Sequence, residues 1–144
     1  MQLTEHFSLE ELTFSSTAQR LGIDNTPDAG TVTRLTVLAN GLEIVRSLLK
    51  APMHIDSGYR CQELNKAVGG VANSAHLEGY AADFICPAFG TPTEIAKAIV
   101  GSGMLFDQCI QEGTWVHISF DPCARRQAMT ATFGPHGATY SHGV

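Results

Sequence analysis

The sequence has no run of basic residues, no C-x-x-C pair and no apolar stretch of membrane-spanning length, and each gap removes a class of function. Nine Lys and Arg against fourteen Asp and Glu give a formal net charge of -5. Binding a nucleic-acid backbone needs clustered cations to neutralise phosphates, so no nucleic-acid partner is expected. A bilayer span needs about 20 predominantly apolar residues, so membrane insertion is not expected either. Cys61, Cys86, Cys109 and Cys123 are spaced too irregularly for a four-cysteine zinc site. With no secretion signal beside them, they read as reduced, mostly structural thiols. The N-terminal MQLTEHFSLEELT carries acids where a signal peptide carries bases, and it lacks the apolar core. Synthesis in the cytoplasm without a signal peptide is therefore expected. Charged residues are scarce at 16%, which argues against a solvated, disordered chain.

What remains fits one domain over residues 1–144, large enough to bury a core without disulfide staples, and expected to be a monomer. Phe7 to Leu12 reads as an entry helix with Ser8 as N-cap and Glu11 in capping-box position, followed by a turn-rich linker to residue 30. From Thr31 to Lys50, Val32, Leu35, Leu38, Leu42, Val45 and Leu49 recur at steps of three and four, one face of a helix packed on a core. Met53 to Ser57 and Ala81 to Cys86 read as strands, and Asn65 to Ala75 as a glycine-rich loop. A second helix is predicted from Thr93, as N-cap, to Val100. Leu105 to Gln111 and Thr114 to Phe120 read as a hairpin about Gly113. Residues 121–144 hold few large apolar side chains and are expected to form a loosely ordered tail. The fold class is α+β: a small, mainly antiparallel sheet with helices packed on one side.

The informative segment is SAHLEGYAAD, Ser74 to Asp83. It sets an imidazole, His76, and a carboxylate, Asp83, seven residues apart with a glycine between them, so a loop and the next strand can aim both at one ion. Zinc takes nitrogen and carboxylate oxygen, and catalytic sites use three protein ligands with one position left open. The third candidate is His117 in WVHISF. In an alternating strand, Val116 and Ile118 facing the core would put Trp115, His117 and Ser119 on the other face, with Trp115 as an aromatic wall. A buried acid and buried histidines each need a partner, and a metal satisfies all of them.

SAHLEGYAAD resembles the S-x-H-x-x-G-x-A-x-D signature of the zinc D-alanyl-D-alanine carboxypeptidases and related peptidoglycan endopeptidases, the LAS metallopeptidases. WVHIS is similar to their second histidine motif, and SGYR, Ser57 to Arg60, to the segment before the signature. Together these motifs cover roughly residues 55–120, and the N-terminal part looks like that of small phage- and prophage-encoded members. The resemblance implies a hedgehog/DD-peptidase-like fold, a Zn2+ cofactor held by His76, Asp83 and His117, and a peptidoglycan stem peptide as substrate. It further implies Arg60 as the cation that meets substrate and oxyanion, and Ser74 as a neighbour of the bound peptide. The family's base carboxylate often stands three residues before the last histidine, where this chain has Thr114. Glu112 is the nearest carboxylate, with Asp107 as the second candidate. Action on the cell wall, after phage-type release or as a virion component, is the expected setting. Two readings stay open: a D-Ala-D-Ala carboxypeptidase or cross-link endopeptidase, and a catalytically silent zinc-bearing cell-wall-binding or virion structural module.

Overall fold

The computed structural model describes residues 1–144. Its longest element is set by the apolar stripe. Helix α3, Ala29–Leu49, starts at Asp28, whose carboxylate accepts from the Thr31 N–H at 2.8 Å, and ends at Lys50 in the left-handed region, just before Pro52. Leu35, Leu38, Leu42, Val45 and Leu49 are all buried. Each such side chain stabilises the fold by about 1.5–3 kcal/mol, so this face alone fixes where the helix packs. Two short helices precede it. Helix α1, Leu9–Thr13, is capped by Ser8 accepting from the Glu11 N–H, as the sequence predicts. Helix α2, Ser16–Leu21, which the sequence did not predict, lies between the entry helix and the turn residues from Gly22 on, held by Ser15 at its start and by Gly22, in the left-handed region, at its end.

Strands β1 (His54–Ser57), β2 (Ala81–Ile85), β3 (Gln108–Gln111), β4 (Val116–Ser119), β5 (Gln127–Gly134) and β6 (Gly137–His142) form one sheet in the order β1-β2-β4-β3-β5-β6. Every neighbour pair is antiparallel except β3 and β5. The class is α+β with a mixed, mostly antiparallel sheet. Ile55, Ala82, Phe84, Cys109, Val116 and Ile118 join α3 and helix α5 (Pro92–Gly101) in one core. Alternation along the strands leaves Asp83 and His117 on the face away from that core.

Three expectations need correction. Helix α5 is capped by Thr91, not Thr93: Thr91 and Glu94 form a reciprocal capping box with Pro92 at the first helical position, and Thr93 instead accepts a hydrogen bond from Gln111. The predicted loop over 65–75 begins as the end of helix α4, Gln62–Ala67, whose cap is the Cys61 thiol. The predicted loose tail is a hairpin. Residues 127–133 alternate, Thr130 and Thr132 are β-branched, and Gly134-Pro-His-Gly137 supplies a tight turn. All four cysteines are unpaired. No helix is long and apolar enough to cross a membrane.

Candidate metal centre and substrate cleft

The sheet register brings the two strand-borne candidates together. Asp83 on β2 stands directly opposite His117 on β4. His76 arrives from a different direction, on a single 3-10 turn, Ala75–Leu77, whose cap is Ser74: the Ser74 hydroxyl accepts from the His76 N–H at 3.2 Å. The turn then swings back into β2 through Gly79, at φ +84, where a Cβ would come within 3.2 Å of Thr31 and Leu35 on α3. A side chain there meets both a strained backbone and a packed helix, so the glycine sets the spacing between His76 and Asp83.

The centre is enclosed. His76 is 2% exposed and His117 8%, and their rings meet edge-on with centroids 5.1 Å apart. His76 Nδ1 lies 2.7 Å from the Gly58 carbonyl, so it carries the proton and donates. That leaves Nε2 with a bare lone pair facing Asp83 Oδ1 at 3.2 Å, while His117 Nδ1 faces the same oxygen at 3.0 Å. A lone pair and a carboxylate repel unless a cation lies between them. A proton is a poor choice, because burial pushes the His76 imidazole below its usual value despite the pull of Asp83. Burial also pushes the Asp83 carboxyl up, but His76 and His117 outweigh it and hold the group well below the usual carboxylate range.

The ligand atoms of His76, Asp83 and His117 all lie within 4.8 Å of one another. Zinc bonds of about 2.1 Å in a tetrahedron separate neighbouring donors by about 3.4 Å, close to the contacts seen here. The donor set therefore fits a divalent metal, with the Gly58 carbonyl as the partner that orients His76.

Around this centre lies a cleft of ≈ 660 Å³. Arg60, Ser74, Glu112 and Trp115, all singled out in the sequence, line it. Arg60 reaches Ser74 through a 3.4 Å contact, and its Nε is buried without a partner. Burial pushes the guanidinium below its ordinary value while Asp83 and Glu112 oppose this, and the group stays charged. Glu112 follows β3. Its backbone N–H donates to the Trp115 carbonyl at 3.0 Å, closing a turn in which Gly113 is left-handed. Burial pushes its carboxyl up and the Asp83 charge adds to this, against His117, Trp115 and Arg60.

Asp107 also lines the cleft but is otherwise engaged. Its Oδ1 accepts from the Arg125 backbone N–H and Nε, and its Oδ2 from Nη2 at 2.8 Å. Both oxygens are spent on the segment leading into β5. Of the two candidate bases, Glu112 alone has a free carboxylate. The cleft also contains Met129, Phe133 and Tyr140, none of which the sequence reading singled out. The signal for them was the alternating pattern of the C-terminal hairpin.

A candidate metal-binding triad on the sheet face away from the core, with a carboxylate and a half-buried arginine in the same cleft, is the donor set a metallopeptidase needs. The chain belongs to the Peptidase M15 family, whose family model matches residues 5–119, and is accordingly a zinc-dependent peptidase of the general type that acts on peptidoglycan. No curated protein matches it.

Proposed function

We propose that this protein hydrolyses a peptide bond in peptidoglycan stem peptides, as a D-Ala-D-Ala carboxypeptidase or a cross-link endopeptidase, with His76, Asp83 and His117 holding zinc. One observation carries the proposal. Arg60 follows β1 and Glu112 follows β3, so the two groups flank the donors on β2 and β4 within one cleft. When bound, zinc supplies Lewis acidity, making water acidic near neutral pH and polarising a carbonyl.

The protein's own groups account for the remaining steps. Glu112 has a carboxyl raised by burial and by Asp83, so it takes a proton from the attacking water more readily than an exposed carboxylate would. The same proton then passes from Glu112 to the leaving amine. Arg60, with donors to spare, faces the oxygen that gains charge, and Ser74 steadies Arg60 and the end of the peptide. A donor aimed at such an oxygen is worth about 3 kcal/mol. Trp115 forms an apolar wall beside the reacting bond. The likeness to small phage members supports delivery as a lysin.

The test incubates zinc-loaded protein with purified sacculi and with an acylated D-Ala-D-Ala peptide, and reads products by mass spectrometry. New amino termini or released D-Ala are expected. Glu112→Gln should keep one metal equivalent and lose on the order of 10²–10⁴ in rate. One bound metal with no cleavage of any muropeptide by the wild type would favour the silent binding module instead.

A further inference from the structure

The C-terminal hairpin lies outside the stretch matched by the family, yet it forms part of the cleft. Register shows how. Across the sheet, Asp83 pairs with His117, His117 with Ile110, Ile110 with Met129, and Met129 with His142. Directly paired residues share a face, so Met129 and His142 lie on the face of the metal centre. With a period of two, Ala131, Phe133 and Tyr140 lie there as well. The opposite face of the hairpin presents only Thr130, Thr132, Thr139 and Ser141 among its central positions. The large side chains are thus all on the cleft side.

They have little protein to cover them. Phe133 is 56% exposed and Tyr140 53%, on the wall of a cleft rather than on a convex surface. Phe133 leans on Trp115 with ring centroids 5.9 Å apart and sits beside Gly113, next to Glu112. Aromatic rings held on rigid strands and left open to a cleft suit an amphipathic ligand, because they lose little entropy when they bury it. On the other side of the donors, Arg60 and Ser74 are polar and charged. The cleft therefore has Arg60 on one wall and two open aromatic rings on the other.

Building on the proposed peptidase activity, we infer that the β5–β6 hairpin is the second wall of the substrate site. Phe133 and Tyr140 grip the aliphatic side chain and backbone of the stem peptide on the side of the scissile bond away from Arg60 and Ser74. The hairpin is then a specificity element added to the family's shared core. The Tyr140 hydroxyl faces the peptide's amides, and the Phe133 ring faces its apolar side chain.

The test uses the zinc-loaded full chain with an N-acetylated stem pentapeptide ending in D-Ala-D-Ala. It measures kcat and KM, and follows binding through the fluorescence of Trp115, the single tryptophan. Phe133→Ala and Tyr140→Ala should each raise KM by about tenfold or more, the size expected for one lost apolar contact, with metal content and unfolding midpoint unchanged. Tyr140→Phe should fall between Tyr140→Ala and wild type. Thr132→Ala, on the far face of the hairpin, should match wild type. KM values within twofold of wild type for both alanine variants, or an equal rise in Thr132→Ala, overturn the inference. If wild-type protein binds the peptide without cleaving it, the hydrolytic reading fails, and the hairpin is judged on dissociation constants with the same criteria. If wild type neither binds nor cleaves, the hairpin inference fails too.

Discussion

The two walls of the cleft are built to different standards. The wall running from Gly58 to Gly79 carries His76, Arg60 and Ser74 and is tied down at both ends, at residues 59–61 and where the Arg34 Nε donates to the Glu78 carbonyl. The Tyr59 N–H donates to the Leu12 carbonyl at 2.8 Å, and the Arg60 N–H to the His76 carbonyl at 3.1 Å. Asn25 fastens it further: Nδ2 donates to the Thr13 and Tyr59 carbonyls at 2.9 and 3.0 Å, and Oδ1 accepts from the Cys61 N–H at 2.7 Å. The hairpin wall is held at its base, by the parallel ladder to β3, a Gln108–Gln127 side-chain contact of 2.7 Å, the Asp107–Arg125 pair and Arg126 bonded to the Met104 and Val100 carbonyls, while β6 is exposed throughout. His76 and the proposed peptide contacts Arg60 and Ser74 stand on the more heavily anchored wall, and the proposed contacts Phe133 and Tyr140 on the less anchored one. Regions with few buried contacts open at lower free-energy cost, so the second wall is the one able to adapt.

The comparison is broken most severely at Gly58. A Cβ there would meet the Leu12 carbonyl oxygen at 2.3 Å, a backbone atom that cannot step aside, so Gly58→Ala must displace the carbonyl that orients His76. Stability should fall by about 3 kcal/mol. Metal affinity should fall about 10–100-fold, as when the partner of a ligating histidine is disturbed. Chemical denaturation and chelator competition measure the two, and wild-type metal affinity would show that the anchored wall does not orient His76.

Next in size is Asn25→Ala, which removes three hydrogen bonds, one to α1 and two to the same wall. At about 1 kcal/mol each, the loss should be about 2–3 kcal/mol in urea unfolding, with KM and kcat moving together. A change under about 0.5 kcal/mol, the ordinary range for a surface site, would mean the staple contributes nothing.

The smallest effect belongs to the other wall. Hydrogen bonds from Arg125 hold the Asp107 carboxyl below its usual value. Its contribution is therefore present above the unfolded value of about 4 and disappears as pH falls through the folded value. Asp107→Asn should cost about 1 kcal/mol at pH 7, since Arg125 is half exposed, and the difference from wild type should vanish in acid. Metal affinity should stay unchanged while KM rises. Weakened metal binding would place Asp107 with the metal centre rather than with the hairpin.

The same contrast explains what the sequence disclosed. The α3 stripe was legible because five buried side chains repeat at helical spacing. His76, Asp83 and His117 were legible because each is a polar residue in an apolar neighbourhood and the motif spacing ties them together. Helices α2 and α4 were not, since at six residues each their formation rests on caps and tertiary contacts rather than on periodicity. The hairpin was missed because its apolar residues are few, and its order comes from pairing with β3, a partner that local pattern does not reveal. Asn25 read as a turn residue, and only the fold shows it joining three segments.

Because side chains in a strand alternate sides, the His117 position tolerates no sliding: deleting one residue from β4 ahead of it would send that imidazole into the hydrocarbon core and aim a neighbour at the metal. The turn at Glu112 and Gly113 has no such parity. Insertions and deletions between β3 and β4 can shift a carboxylate by fractions of a strand step and still leave it in reach. Length variation among relatives should therefore collect at that turn and be absent from β2 and β4, so the proposed base can change its address while the proposed metal ligands cannot.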